Sequence, residues 1–144
     1  MIILVSACLL GHSCRYDGQS KPHPGVAELL KHHTLVPICP EVQGGLPTPR
    51  PPAEIQGDRV INSEGRDVTA FYQRGAQAAL EMANILGAKV AILKERSPSC
   101  GSGIIHNGQF DGGLVEGWGV AAQLLRDNGI TVYGESEIDK LQRG

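Results

Sequence analysis

Four short apolar segments alternate with helical patterns along this chain, and this alternation restricts the fold more than any other feature. The segments cover residues 2–7, 34–39, 88–93 and 130–133. Continuous apolar runs of this length are typical of strands covered on both faces, and strands separated by helices form parallel sheets. Pro37 interrupts the second run, so we expect that strand to lie at a sheet edge or to contain a local irregularity. We predict an α/β chain, a small three-layer fold with a mainly parallel sheet of about four strands.

Helical patterns connect the predicted strands. They cover residues 22–33, 69–86 and 118–128, with a last turn or two over 135–141. Asp67 or Thr69 is the predicted N-cap of the longest helix, because both side chains can accept a hydrogen bond from the first turn. Gly87 and Gly129 are predicted to end their helices, since glycine readily adopts the left-handed conformation found there.

Three other segments are rich in turn-forming residues. Hairpins are predicted over residues 55–65, turning at 57 and 58, and around residues 107 and 108. The segment from Pro40 to Glu54 contains five prolines and two glycines. We predict that it has no regular structure and forms a rigid binding loop, because proline restricts the backbone and removes a hydrogen-bond donor.

Composition limits the size of the fold and the kind of partner. At 144 residues the chain matches a common domain size, so we predict a single domain over residues 1–144. Thirteen basic and 15 acidic side chains give a net charge of −2, too balanced to attract nucleic acid or an anionic membrane. The opening residues lack the basic region of a signal peptide, and no apolar run approaches the roughly 18 residues of a membrane span. We expect a cytoplasmic monomer or weak homo-oligomer that acts on a small molecule.

Three of the four cysteines lie at or shortly after the ends of predicted strands. Cys8 follows the first strand, Cys39 ends the second, and Cys100 comes seven residues after the third. In open parallel sheets, ligands bind outside the carboxyl ends of the strands, so these thiols are predicted to meet at one edge of the sheet. In a reducing compartment such cysteines indicate metal binding or catalysis rather than disulfides, with buried free thiols as the alternative.

The spacing of the thiols favours an iron–sulfur cluster. Structural zinc sites usually take their ligands from tight C-x2-C pairs, and the sequence contains no such pair. Widely separated single thiolates suit a bulkier centre, although zinc and a metal-free catalytic cysteine remain as alternatives. The fourth thiol, Cys14, decides the type of cluster. As a ligand it would close the cluster, and otherwise one iron keeps an open position and acts as a Lewis acid.

Polar side chains lie beside the predicted ligands. Glu41 follows Cys39 by two residues and is a candidate for proton transfer, with an ion pair to Arg50 as the alternative. Ser97 and Ser99 precede the last cysteine and are candidates to orient a substrate, or else ordinary turn residues. The five histidines are expected to have surface roles, since two lie at a predicted helix end and three lie on loops.

Six motifs in order along the chain carry a family resemblance. They are Ser-Ala-Cys-Leu-Leu-Gly from Ser6, Cys-Arg-Tyr-Asp-Gly from Cys14, Cys-Pro-Glu from Cys39, Gly-Gly-Leu-Pro-Thr-Pro-Arg from Gly44, Gly-Arg-Asp-Val-Thr from Gly65 and Leu-Lys-Glu-Arg-Ser-Pro-Ser-Cys-Gly from Leu93. Together they resemble the 2-thiouracil desulfurase family. The resemblance implies a [4Fe–4S] cluster on Cys8, Cys39 and Cys100, with Glu41 and Ser97 as the catalytic residues.

The resemblance also implies the reaction, which is the desulfuration of a small thiolated substrate such as 2-thiouracil. The open iron of the cluster takes up the substrate's sulfur, which leaves as sulfide without net electron transfer. In this pattern Cys14 is not a ligand. The alternative is a cluster-bearing or zinc-bearing module that senses redox state or carries sulfur without turnover. An ordinary nucleotide-binding domain is disfavoured, because no G-x-G-x-x-G or Walker A motif follows a predicted strand.

Overall fold

The computed structural model describes residues 1–142, which form strands and α-helices joined mostly by short turns. The strands are β1 (Ile2–Ser6), β2 (Thr34–Ile38), β3 (Ala53–Gln56), β4 (Arg59–Asn62), β5 (Val90–Leu93), β6 (Ile104–His106), β7 (Leu114–Glu116) and β8 (Thr131–Gly134). The α-helices are α1 (Pro24–Glu28), α2 (Pro40–Gln43), α3 (Thr69–Leu86), α4 (Val120–Asp127) and α5 (Asp139–Gln142).

Four of the strands form one parallel sheet, in the order β2, β1, β5, β8. Leu4 of β1 lies opposite Val36 of β2 and Ala91 of β5, and Val132 of β8 lies opposite Ala91 on the other side. The predicted α/β class with a four-stranded parallel sheet is therefore confirmed. β2 is an edge strand, as predicted from Pro37, so the missing N–H of this proline disrupts no central ladder.

Alternate residues of the sheet point into two separate cores, one on each face. Leu4 and Ala91 belong to the core that the sheet shares with α3 and α4. Ile3 and Ile92 belong to the opposite core, together with Val26 of α1. All five side chains are fully buried, and burial of apolar surface stabilises a fold by about 25 cal/mol per Å². Helices thus cover both faces of the sheet, which gives the predicted three layers.

The segment after β2 differs from the prediction. We expected no regular structure from Pro40 to Glu54, but residues 40–43 form the one-turn helix α2, so the expectation was wrong for this turn. Cys39 is extended and takes the N-cap position, which puts Pro40 at the start of the helix. Proline is well tolerated there because its missing N–H would have no partner within the helix. The helix gives Glu41 a fixed position beside Cys39.

Two glycines allow α2 to pack closely against α3. A side chain at Gly75 would meet the carbonyl oxygen of Pro40, and one at Gly44 would meet the carbonyl oxygen of Phe71. Both positions therefore require glycine because of close backbone contact. This contact sets the distance between α2, which carries Glu41, and the body of the fold.

Gly75→Ala is expected to destabilise the protein. Overpacking costs roughly 1–3 kcal/mol, more than the roughly 0.5–1 kcal/mol that alanine gains over glycine within a helix. Urea unfolding should show a lower midpoint at an unchanged slope. Gln77→Ala, at an exposed position of the same helix, is the matched control and should stay within about 0.5 kcal/mol of the original chain. A midpoint that does not fall in Gly75→Ala would contradict the close α2–α3 contact.

The predicted N-cap of α3 was wrong. Val68 takes the N-cap position and provides no side-chain hydrogen bond, whereas Asp67 lies one residue further out and accepts from the N–H of Thr69, the first helical residue.

The remaining elements agree with the predictions in kind and differ in their limits. The hairpin of β3 and β4 turns at Gly57, and Gly87 ends α3 in the left-handed conformation, as expected. The predicted helix over 22–33 is shorter, with α1 followed by a 3₁₀ turn over Leu29–Lys31. β6 and β7 are joined by residues 107–113 rather than by a tight two-residue turn. Among residues 1–142, no helix has both the length and the apolar character needed to cross a lipid bilayer.

Candidate active site

All four cysteines line one cavity of about 480 Å³ at the carboxyl ends of the sheet strands. Cys8 lies in the 3₁₀ turn Ala7–Leu10 directly after β1, and Cys39 lies between β2 and α2. Cys100 follows the loop after β5, and Cys14 lies on the loop between β1 and α1. The cavity volume is within the range of roughly 300–1,000 Å³ that is usual for ligand sites. The structure thus brings the three sequence-predicted ligands to one edge of the sheet.

The thiols influence one another and are largely shielded from water. A hydrogen bond with the Cys14 thiol, together with burial, raises the pKa of Cys39 well above its usual range. At Cys14 the hydrogen bond with Cys39 lowers the pKa, but a hydrogen bond with Cys8 and burial raise it by more. Burial raises the pKa of Cys100 to about 12, although Ser6 and Ser99 favour its thiolate. Without metal these thiols hold their protons, and metal binding would release them.

This donor set fits a centre larger than a single ion. Across residues 1–142, no three His, Cys, Asp or Glu side chains are arranged to hold one metal ion. The four thiols nevertheless share the walls of one cavity, and soft thiolates are the ligands that iron–sulfur clusters use. Cys8, Cys39 and Cys100 come from three different strand ends, as expected of ligands around a bulky centre. The residues present therefore fit an iron–sulfur cluster.

The Ser97–Cys100 turn is organised by the hydroxyl of Ser97. Its Oγ accepts hydrogen bonds from the backbone N–H groups of Ser99 at 3.0 Å and Cys100 at 2.9 Å. Ser97 lines the cavity, whereas Ser99 is only 2% exposed and does not. Ser99 Oγ lies 2.9 Å from Ser97 Oγ and 3.6 Å from the Cys100 sulfur. Ser97 therefore fixes the backbone at Cys100 and presents its hydroxyl at the cavity wall.

Both carboxylate oxygens of Glu41 are held by neighbouring side chains. Arg50 Nε donates to Oε1 at 3.0 Å, and Ser99 Oγ donates to Oε2 at 2.9 Å. Since the single proton of Ser99 goes to Glu41, the contact between the two serine hydroxyls has Ser97 as its donor. A chain of hydrogen bonds thus runs from Ser97 through Ser99 to Glu41, at the edge of the cavity that the thiols line.

Arg50 ties this carboxylate to the loop that carries Cys14. Its side chain is only 4% exposed. Besides Glu41, the guanidinium donates to the carbonyl oxygens of Pro47 at 3.1 Å and Cys14 at 2.9 Å, and to the Thr48 hydroxyl at 3.0 Å. The Cys39 sulfur lies 3.8 Å from the same Cys14 carbonyl oxygen. Arg50 therefore fixes α2, the loop after it and the backbone at Cys14 relative to one another.

A family model described as 2-thiouracil desulfurase matches residues 3–137. This chain belongs to the 2-thiouracil desulfurase family. A solved structure, the [4Fe-4S]-dependent thiouracil desulfidase TudS, is 50% identical and superposes with a TM-score of 0.92, covering 97% of this chain and 94% of that one. The uncharacterized protein YbbK of Bacillus subtilis (strain 168) is 41% identical over 150 residues, 97% of this chain and 99% of the relative.

The sequence predicted which chemical groups meet at this cavity but not the residues that support them. Glu41, Ser97 and the thiols line the cavity, and Glu41 pairs with Arg50, which was the alternative considered for it. Burial and the nearby Glu41 carboxylate raise the pKa of Tyr72, which also lines the cavity.

His106 was expected to have a surface role, and this was wrong. It ends β6 and lines the cavity, and its Nδ1 has no hydrogen-bond partner within residues 1–142. Glu54 of β3 also lines the cavity and was not singled out. In the sequence, neither residue directly follows a strand of the parallel sheet. The one signal in the sequence is that each comes a few positions after a family motif, Glu54 after Arg50 and His106 after Gly101.

Proposed function

We propose that this chain is a [4Fe–4S]-dependent desulfurase that removes sulfur from 2-thiouracil or a similar small thiolated substrate. The observation that carries the proposal is the joint location of the thiols, Glu41 and Ser97 around one cavity, in a member of the 2-thiouracil desulfurase family. The likeness to the thiouracil desulfidase TudS, at 50% identity over nearly the whole chain, supports the same cofactor and reaction.

Cys8, Cys39 and Cys100 would hold the cluster as thiolates. When bound, a cluster with three protein ligands supplies an iron with an open position, which acts as a Lewis acid toward a thiocarbonyl sulfur. Burial disfavours the thiolate of Cys100, whereas a hydrogen bond with the Ser6 side chain favours it. Cys14 contacts the same group of thiols without serving as a ligand in this proposal, and Arg50 holds its backbone in place.

The protein residues handle the protons of the reaction. Glu41 takes a proton from the attacking water, because its carboxylate is held in one orientation by Arg50 and Ser99. Ser97 donates through Ser99 toward Glu41, so its hydroxyl is ordered at the cavity wall and can contact the substrate. The carbon–sulfur bond breaks, a carbon–oxygen bond to water forms, and sulfur leaves with two protons as sulfide. The balance requires no electron donor.

The free thiols and the net charge also bear on the compartment and the partners of the protein. Four free cysteines in residues 1–142 are typical of a reducing compartment, so we place the protein in the cytoplasm and expect the loaded site to be sensitive to oxygen. A net charge of −2 supports a small substrate rather than nucleic acid or a membrane as the partner. We propose a monomer or a weak homo-oligomer.

Anaerobically purified protein is expected to release sulfide and uracil in equal amounts from 2-thiouracil, without an added reductant. The expectation follows from the balanced exchange of water for sulfur, and it is checked by assaying sulfide chemically and uracil by chromatography. Protein kept without iron is the control. A coloured protein that binds a cluster but releases no sulfide would favour the redox sensor or sulfur carrier instead. Turnover that depends on an electron donor would contradict the non-redox reaction.

A further inference from the structure

The cavity has a second wall, formed by Glu54 and Phe110, that the proposed reaction does not use. Glu54 lies on β3 and is 9% exposed, whereas Phe110 lies between β6 and β7 and is 39% exposed. The chain has three tyrosines, two phenylalanines and one tryptophan, and three of these side chains line this cavity: Tyr16, Tyr72 and Phe110. Flat apolar surface is therefore concentrated at the site.

The two oxygens of Glu54 have different surroundings. Oε1 accepts hydrogen bonds from the backbone N–H groups of Gly108 at 2.9 Å and Phe110 at 3.3 Å. Within residues 1–142, Oε2 has no hydrogen-bond partner, and it is not fully shielded from solvent. Because Glu54 lines the cavity, Oε2 is free to accept a hydrogen bond there.

The same contacts hold Phe110 in an unusual conformation. Its φ of 55° lies in the left-handed region, which residues other than glycine rarely adopt. Gln56 Nε2 donates to the Gly108 carbonyl at 2.7 Å, and a side chain at Gly108 would lie 2.6 Å from the Ile55 carbonyl oxygen. Backbone strain of this kind is typical of ligand clamps. The β3–β4 hairpin thus fixes the Phe110 backbone so that its ring lines the cavity.

We propose that Glu54 and Phe110 recognise the ring of the substrate. Glu54 Oε2 accepts a hydrogen bond from a ring N–H, and the ring face lies against Phe110. An ionised carboxylate only accepts hydrogen bonds, and flat rings stack favourably on aromatic side chains. This inference rests on the proposed function and narrows its substrate class to planar cyclic thioamides with at least one ring N–H.

Glu54→Gln separates ring recognition from the support of the loop. The amide oxygen still accepts from Gly108 and Phe110, but the amide nitrogen replaces Oε2 and donates instead of accepting. Losing a hydrogen bond to a charged group should raise the KM for 2-thiouracil roughly 10- to 150-fold, with little change in kcat. Glu64→Gln makes the same chemical change at an exposed position outside the cavity and is the matched control.

Methylated substrates test the contact from the ligand side. The loaded original enzyme should discriminate against 2-thiouracil methylated at one of its two ring nitrogens, and Glu54→Gln should lose this discrimination. Equal KM values for Glu54→Gln and the original enzyme would overturn the contact while desulfuration stands. No sulfide from the original enzyme would overturn the proposed function and this inference with it. Should Glu54→Gln fail to fold, Phe110→Ala provides the test. A KM that rises in Phe110→Ala and returns to the original value in Phe110→Trp supports the site, whereas an unchanged KM in Phe110→Ala overturns it.

Discussion

Serine in place of Cys8, Cys39 or Cys100 is expected to abolish both the visible absorbance of anaerobically purified protein and its release of sulfide from 2-thiouracil. Each thiol lines the cavity at the end of a different strand, so none can substitute for another. A hydroxyl is a hard, protonated oxygen at neutral pH and a poor replacement for a soft thiolate ligand of iron. Absorbance spectra and an iron assay, measured beside sulfide release, check the result.

Cys14→Ser is the matched control for these variants, and it should keep the cluster and most of the activity. Cys14 lies close enough to hydrogen-bond with Cys8 and Cys39, so position alone does not distinguish it from a ligand. The distinction rests on chemistry, since Glu41 and Ser97 have a substrate to act on only if one iron stays open. If Cys14→Ser bleaches the protein as fully as the other variants do, a closed four-thiolate carrier becomes the better interpretation and the desulfurase proposal fails.

The second large effect is expected for Glu41→Gln, which should lower sulfide release about 100- to 10,000-fold while the cluster absorbance remains. The amide keeps the size of the side chain but cannot take a proton from water. Steady-state sulfide release and the absorbance spectrum are measured on the same preparation. Glu81→Gln, at an exposed position of α3, is the control for loss of one negative charge and should behave like the original protein.

A stability measurement must accompany the Glu41 variant. Arg50 is only 4% exposed, and removing one partner of a buried ion pair typically costs about 3–5 kcal/mol. Glu41→Gln is therefore expected to unfold at lower urea concentration as well as to lose turnover. Loss of the cluster absorbance in the folded variant would show that Glu41 supports the metal site instead of moving protons.

Much of the architecture could be predicted because the signals were local. The apolar runs before Cys8, Cys39 and Cys100 indicated strands buried on both faces, and parallel strands bring their carboxyl ends to one edge. Pro37 identified the edge strand because proline lacks the donor that a central ladder needs. The turn at Gly57 followed from glycine's tolerance of positive φ.

The rest depended on contacts between distant parts of the chain. The five prolines between residues 40 and 54 predicted no helix where α2 forms. This helix depends on Cys39 as an extended N-cap and on glycine at the contact with α3. Nothing near Glu54 in the sequence indicates that its carboxylate holds a loop more than 50 residues away, since Glu54 and Gly108 are separated by 54 positions. The order of the two serine hydroxyls likewise became clear only from the position of Glu41 beside Ser99.

The three strand-end thiols are separated in sequence by whole helices and hairpins, yet they line a single cavity. A centre bound to all three would act as a cross-link that closes long loops of the chain. In the entropic description, closing one such loop stabilises a fold by about 3 to 5 kcal/mol, because the unfolded chain loses conformational freedom. Oxidative loss of the centre would then weaken the whole fold as well as stop catalysis. The lifetime of the polypeptide would follow the supply of iron and the level of oxygen around it.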